Sequence, residues 1–160
     1  MGAAQMSPRY LVDTNLLIYP HDPGEPVKAS RAAAVLTHVA TAQSGALAVQ
    51  VLAEFANVTL KKLKPPLDAD AVHAQIERLT RMFPVLPLTP AVVLEAVRGV
   101  RDHRLSYYDA QIWAVAKLNQ VATILSEDFN PGAAVEGVSF INPFAPAFVM
   151  ADLGETGPDG

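Results

Sequence analysis

Cysteine is absent from this chain, which removes a disulfide framework, a thiolate zinc site and a cysteine nucleophile from consideration. The absence suits a reducing compartment, and the cytoplasm is the expected location. The opening Met1-Gly2-Ala3-Ala4-Gln5-Met6 has no basic region followed by an apolar run, so no secretory signal is expected. No apolar stretch is long enough to span a bilayer, and no membrane association is expected. Positive charge is also scarce. Lys and Arg number 12 against 16 Asp and Glu, a net charge of -4, which disfavours binding nucleic acid by broad electrostatics. It does not disfavour an enzyme in which metal ions carry the positive charge to a phosphate. There is no internal repeat and no sign of a second domain. What is present is a core: 51% hydrophobic and 18% charged residues over 160 positions suit one globular domain.

Residues 10–12 are an apolar run that stops at Asp13 and reads as a buried strand. Proline and glycine punctuate 20–26 as a loop. An alanine-rich helix is expected over 27–41, a second strand over 46–49, and a helix over 50–62. Pro65-Pro66 ends that helix, and Asp68 or Asp70 caps the next, which runs to Met82. Residues 85–88 read as a short edge strand, because Pro87 removes a ladder donor. Helices over 90–102 and 107–119 follow, then strands over 121–125 and 138–141. Strands alternating with helices imply an α/β fold with a mostly parallel sheet covered by helices. Residues 143–160 mix proline, glycine and acids, and are expected to form a loose tail.

The acids fall where such a fold binds ligands, beyond the carboxyl ends of its strands. Asp13 ends the first strand, Asp128 lies just past the strand ending at Leu125, Asp109 sits in the first turn of its helix, and Glu54 follows the second strand. Each has an ordinary structural explanation. Asp13 or Asp128 could make an Asx-turn, Asp109 could close a capping box with Ser106, and Glu54 could be an exposed helix residue. Glu54 is flanked by Val51, Leu52, Phe55 and Val58, and a carboxylate at the edge of a buried face needs a partner or a metal. Together the four suggest a hard cation, Mg2+ or Mn2+, which prefers carboxylate and water oxygens. His21, His38, His73 and His103 form no convincing ligand set. The basic clusters Lys61-Lys62-Lys64 and Arg98, Arg101 and Arg104 read as solvated helix faces.

Four segments carry a resemblance. Tyr10-Leu11-Val12-Asp13-Thr14-Asn15-Leu16-Leu17-Ile18-Tyr19, Val51-Leu52-Ala53-Glu54-Phe55, Leu105-Ser106-Tyr107-Tyr108-Asp109-Ala110 and Ile124-Leu125-Ser126-Glu127-Asp128-Phe129 together resemble the PIN-domain ribonucleases, and among them the VapC-type toxins of toxin–antitoxin modules. Order and spacing match over residues 9–142, leaving 1–8 and 143–160 as loose termini. The resemblance implies a three-layer α/β fold with a mostly parallel central sheet flanked by helices. It also implies a metal site of Asp13, Glu54, Asp109 and the more variable Asp128, supported by Thr14, Asn15 and Ser126. The family usually offers a serine or threonine before the second long helix, where this chain has Ala48-Val49-Gln50.

The activity so implied is hydrolysis of RNA phosphodiesters using Mg2+ or Mn2+, on single-stranded or looped RNA. The implied partners are an antitoxin, whose C-terminal segment brings an arginine or lysine to the carboxylates, and a second copy in a homodimer. The apolar surface for these is expected on the helices from Val27 and from Gln50, with Phe55, Leu60 and Leu63 among its residues. Two readings keep the fold: a housekeeping nuclease of RNA maturation, and a non-catalytic PIN module, which should lack one or more acids. A phosphatase of the haloacid-dehalogenase type needs a second aspartate two positions after the first, where this chain has Asn15.

Overall fold

The structure, a computed structural model, describes residues 8–130 and 132–154. Strand β1 (Tyr10–Val12) is buried at every position. Asp13 ends it and caps the short helix α1 (Thr14–Ile18), accepting a hydrogen bond from the Thr14 backbone N–H at 2.7 Å. A single 3-10 turn over Tyr19–His21 leads to helix α2 (Pro26–Thr41), which opens on a proline, where the missing N–H costs nothing. Strand β2 (Gly45–Ala48) runs directly into α3 (Val49–Lys61). Helix α4 (Ala69–Met82) is capped by Asp68, which accepts from the Ala71 N–H at 2.8 Å. Strand β3 (Val85–Leu86) precedes α5 (Pro90–His103) and α6 (Tyr107–Leu118). Strands β4 (Thr123–Leu125), β5 (Ala134–Val135) and β6 (Val138–Ile141) follow, and a 3-10 turn over Met150–Leu153 closes the described chain.

The strands form one sheet in the order β3-β2-β1-β4-β6-β5. The first five are parallel, and only the β5–β6 pair is antiparallel. With six helices around it, this is the expected α/β architecture. β3 is an edge strand, as expected, but it ends at Leu86, before Pro87. From β1 the chain passes to β2 on one side, while β4 joins β1 on the other. The topological switch point therefore lies between β1 and β4, and it opens the crevice in which such sheets bind ligands.

Three expectations change. The segment after Asn142 is not a loose tail as far as Gly154. Phe148 and Leu153 are buried in the main core, Arg31 donates to the Pro143 carbonyl at 3.1 Å, and a His38 ring nitrogen lies 2.9 Å from the Gly154 carbonyl oxygen. Residues 1–7 and 155–160, also expected to be loose, lie outside the described residues. Phe55 and Leu63 are not exposed but buried; of the three named apolar positions only Leu60 reaches solvent. Val27, Val49 and Leu60 keep some exposed apolar surface on α2 and α3, and further exposed apolar side chains gather on α5, at Leu94 and Val97, and at the start of α6.

The α5–α6 pair is the tightest helix contact. A Cβ on Gly99 would stand 2.7 Å from the Trp113 ring. Trp113 is fully buried, and its indole N–H donates to the Val135 carbonyl at 3.1 Å, so it has no room to retreat. Gly99→Ala gains about 1 kcal/mol of helix propensity, but overpacking a fixed ring costs typically about 1–3 kcal/mol. The substitution is expected to lower the melting temperature, and an unchanged or raised midpoint would show that the helices can separate. Arg98 is committed nearby, bonding Glu95, Asp102 and Glu136. Bonds from His103, Arg98 and Lys117 hold the Glu136 carboxyl down to about 2. Arg98 thus serves the fold, held half-buried in an ion-pair network over Trp113 rather than on a freely solvated face.

Candidate active site

Asp13 stands at the carboxyl end of β1, with its backbone N–H bonded to the Leu125 carbonyl of β4 at 3.0 Å. It is buried at 4% exposure. Its carboxylate accepts from the Ser126 hydroxyl at 2.6 Å and from the Thr14 N–H. Ser126, at the end of β4, also accepts from the Asp128 N–H at 3.0 Å, so one hydroxyl ties Asp13 to the Asp128 loop. The Thr14 hydroxyl donates to Glu54 at 2.9 Å, reaching from α1 to α3. The Asn15 side-chain amide donates to Asp128 at 3.2 Å. Successive residues of α1 thus hold carboxylates from two other elements. That is why a five-residue helix sits at this point.

Burial, more than any other cause, pushes the Asp13 carboxyl up to about 6, with Asp128 and Glu54 adding repulsion and the Ser126 and Thr14 bonds opposing it. Asp128 is also raised, first by desolvation and then by Glu127, Asp109 and Glu54. Repulsion thus links Asp13 to Asp128 and Glu54, and Asp128 to Asp109 and Glu54. Among the described residues, no Lys, Arg or His pairs with any of the four, and no three acids or histidines already form a cation-sized cluster. Asp109 makes no capping box: Ser106 caps α6 without a side-chain bond. Glu54 is exposed rather than at the edge of the buried face, and only Thr14 holds it.

Sequence reasoning missed a neighbouring support. Tyr19 donates to Glu127 in a short hydrogen bond, and Lys28 donates to Glu127 at 3.0 Å and to the Tyr19 hydroxyl at 3.2 Å. These bonds raise the Lys28 pKa and pair the carboxylate next to Asp128 with a cation. The only signal for this in the sequence is Glu127 beside Asp128. The histidines are all elsewhere: His21 packs on Phe55, His38 meets Gly154, His73 pairs with Glu77 and His103 with Glu136.

The chemistry of these donors, though not yet a closed cluster among the described residues, is the kind a hard divalent cation prefers. Every side-chain donor is an oxygen, the acids lack a cationic partner, and the buried Asn15 carbonyl oxygen has no hydrogen bond. A parallel α/β domain with uncompensated carboxylates at its switch point is the class that fold and site define. The PIN domain family model matches residues 10–133, and the chain belongs to that family.

No curated protein matches the sequence significantly. Among solved structures it is similar to FitAcB from Neisseria gonorrhoeae, at 21% identity over 84% of this chain and 97% of that one, with a TM-score of 0.58. A toxin–antitoxin complex from Klebsiella pneumoniae aligns at 18% identity over 84% and 98%, with a TM-score of 0.54. A VapC toxin from Mycobacterium tuberculosis that cleaves the sarcin–ricin loop aligns at 18% identity over 72% and 86%, with a TM-score of 0.57. At these identities the likeness is one of fold. No helix among the described residues is long and apolar enough to cross a membrane.

Proposed function

We propose that this protein is a metal-dependent endoribonuclease and the toxin of a toxin–antitoxin pair. The observation that supports the reading is Asp13, buried at the carboxyl end of β1 and repelled by Asp128 and Glu54, with no cationic side chain among the described residues paired with any of Asp13, Glu54, Asp109 and Asp128. Such a group is costly unless a cation binds it. Asp13, Glu54, Asp109 and Asp128 would hold Mg2+ or Mn2+. When bound, the ion supplies charge neutralisation at a phosphate and an activated water for in-line displacement.

The chain's own residues do the positioning. Ser126 fixes Asp13, Thr14 fixes Glu54 and Asn15 fixes Asp128, each by a hydrogen bond that keeps a carboxylate oriented. Burial of Asp13 excludes water from one side of the site. The toxin part of the reading is supported by the family and by the toxin–antitoxin complexes among the similar folds. An antitoxin segment delivering an arginine or lysine would pair with the same acids, and a second copy would cover Leu94 and Val97 on α5.

The test is direct. The full chain is incubated with single-stranded RNA in Mg2+ or Mn2+, and again with excess chelator. Discrete fragments are expected with metal, none with chelator, and recovery when metal is restored. Cleavage undiminished by chelator, or no cleavage of any RNA with either ion, overturns the reading.

A further inference from the structure

Glu54 faces a second feature. It also lines an open groove of about 640 Å3 between α3 and the start of α6. Tyr107, Tyr108 and Leu88 give this groove apolar surface, and Gln50, Asn57 and Gln111 give it three carboxamides. Tyr108 is 70% exposed, its ring braced edge-on against Tyr107 at a centroid distance of 5.4 Å. Gln111 is only 4% exposed and lines the groove wall. The Gln50 amide nitrogen donates to the Tyr108 carbonyl at 3.2 Å. That carbonyl can only accept, so the amide orientation is fixed, and the buried Gln50 oxygen is left without a partner.

We propose that this groove is a base subsite: it takes one unstacked base of the RNA strand cut at the adjoining carboxylates, stacked on Tyr108 and bonded at its edge by Gln50, Asn57 and Gln111. The inference rests on the ribonuclease reading, and three observations favour this occupant. Glu54 belongs to both the groove and the carboxylate site, so a strand in one continues into the other. An exposed aromatic face beside the unsatisfied Gln50 oxygen and two further carboxamides matches the π-face and polar edge of a base; a second protein copy would cover the rings but leave the buried Gln50 oxygen to satisfy. Finally, a chain of net charge -4 offers no broad positive field to hold a strand by its phosphates, which gives contacts to the base a larger share of the affinity.

The experiment uses the full chain in chelator, with a fluorescent single-stranded RNA oligomer of about eight nucleotides, within the span of one single-strand binding site, and an abasic strand of the same length as probes, followed by anisotropy. Cleavage of the same RNA in Mn2+ is measured in parallel. The native protein is expected to bind the RNA more tightly than the abasic strand by about 5- to 150-fold, the range of one base–aromatic stack. Tyr108→Ala should erase most of that preference and Tyr108→Phe should keep it. Because Tyr108 is largely exposed, the alanine variant is expected to fold, and its melting curve checks this. Equal binding of the two strands by the native protein, or native-like RNA preference in Tyr108→Ala, overturns the subsite. So does conversion of a dimer to a monomer by Tyr108→Ala with RNA binding unchanged, since a second copy then fills the groove. If RNA is cleaved in Mn2+ in any of these cases, only the subsite falls; if no RNA is cleaved at all, the ribonuclease reading falls and takes the subsite with it.

Discussion

Asp13→Asn, Glu54→Gln and Asp109→Asn are each expected to lose RNA cleavage by more than about a hundredfold while the protein stays folded. The bound follows from the outer partners of a metal site, whose loss costs about 10- to 100-fold; a direct ligand must cost more. Each amide keeps the shape of the acid and removes the charge that holds a hard cation. The fold survives for reasons specific to each residue. In Asp13→Asn the side-chain carbonyl oxygen still accepts from the Thr14 N–H and caps α1, and the Ser126 hydroxyl can accept from the new amide. In Glu54→Gln the side-chain oxygen still accepts from Thr14. Asp109 takes part in no cap, so its replacement touches little. Ser126→Ala should fall within the range of about 10- to 100-fold, because it frees both Asp13 and the Asp128 loop. Asp128→Asn should be milder than the other three ligand changes, since Asp128 is exposed and can act through water. Single-turnover cleavage of labelled RNA in saturating Mn2+ ranks the set. Full activity in Asp13→Asn or Asp109→Asn would remove the metal site from the account.

The positions of Asp13, Asp109 and Asp128 were legible because each sits near an element boundary that the sequence marks clearly. Val12 ends an apolar run, Leu125 ends another, and Ser106 opens a helix. Their hydrogen-bond partners were legible only through a family resemblance, since nothing in a linear pattern says that Thr14 reaches Glu54 across 40 positions. The helix α1 was hidden for a physical reason: five residues make barely more than one turn and show no period.

The environment of Glu54 was misjudged through adjacency. Consecutive residues on a helix point about 100° apart, so the burial of Phe55 says little about Glu54. Val51 and Phe55, four apart, do share the buried face. The same geometry hides Phe55 from the surface where an interface was expected. The segment after Asn142 misled by composition. Its prolines and glycines speak of loop, and it is loop, but Phe148 and Leu153 anchor it to the core at irregular spacing.

Without metal, the site should weaken the fold, and pH should reveal it. The Asp13 carboxyl is raised from an ordinary 3.8 to about 6, chiefly by burial. The folded state therefore holds that proton more tightly than the unfolded chain does. Below about pH 4 the group is protonated in both states and carries no penalty. Between about 4 and 6 the unfolded chain releases its proton first, so stability falls as pH rises. Above about 6 the loss is complete, on the order of 3 kcal/mol at about 1.4 kcal/mol per pKa unit. Asp128, raised for related reasons, adds in the same direction. At neutral pH in chelator, Asp13→Asn should remove the buried charge and raise the melting temperature by roughly 6–12 °C, at about 2–4 °C per kcal/mol for a chain of this size. It should also flatten the decline between about pH 4 and 6. Mn2+ at about a hundredfold excess over its dissociation constant should stabilise the native protein by about 2.7 kcal/mol, and Asp13→Asn should blunt that response. Melting curves from about pH 4 to 8, a span that brackets the titration, measure all of these quantities with Mn2+ and with chelator. If Mn2+ leaves the native midpoint unmoved while Asp13→Asn lowers it in chelator, then Asp13 is a cap for α1 and nothing more.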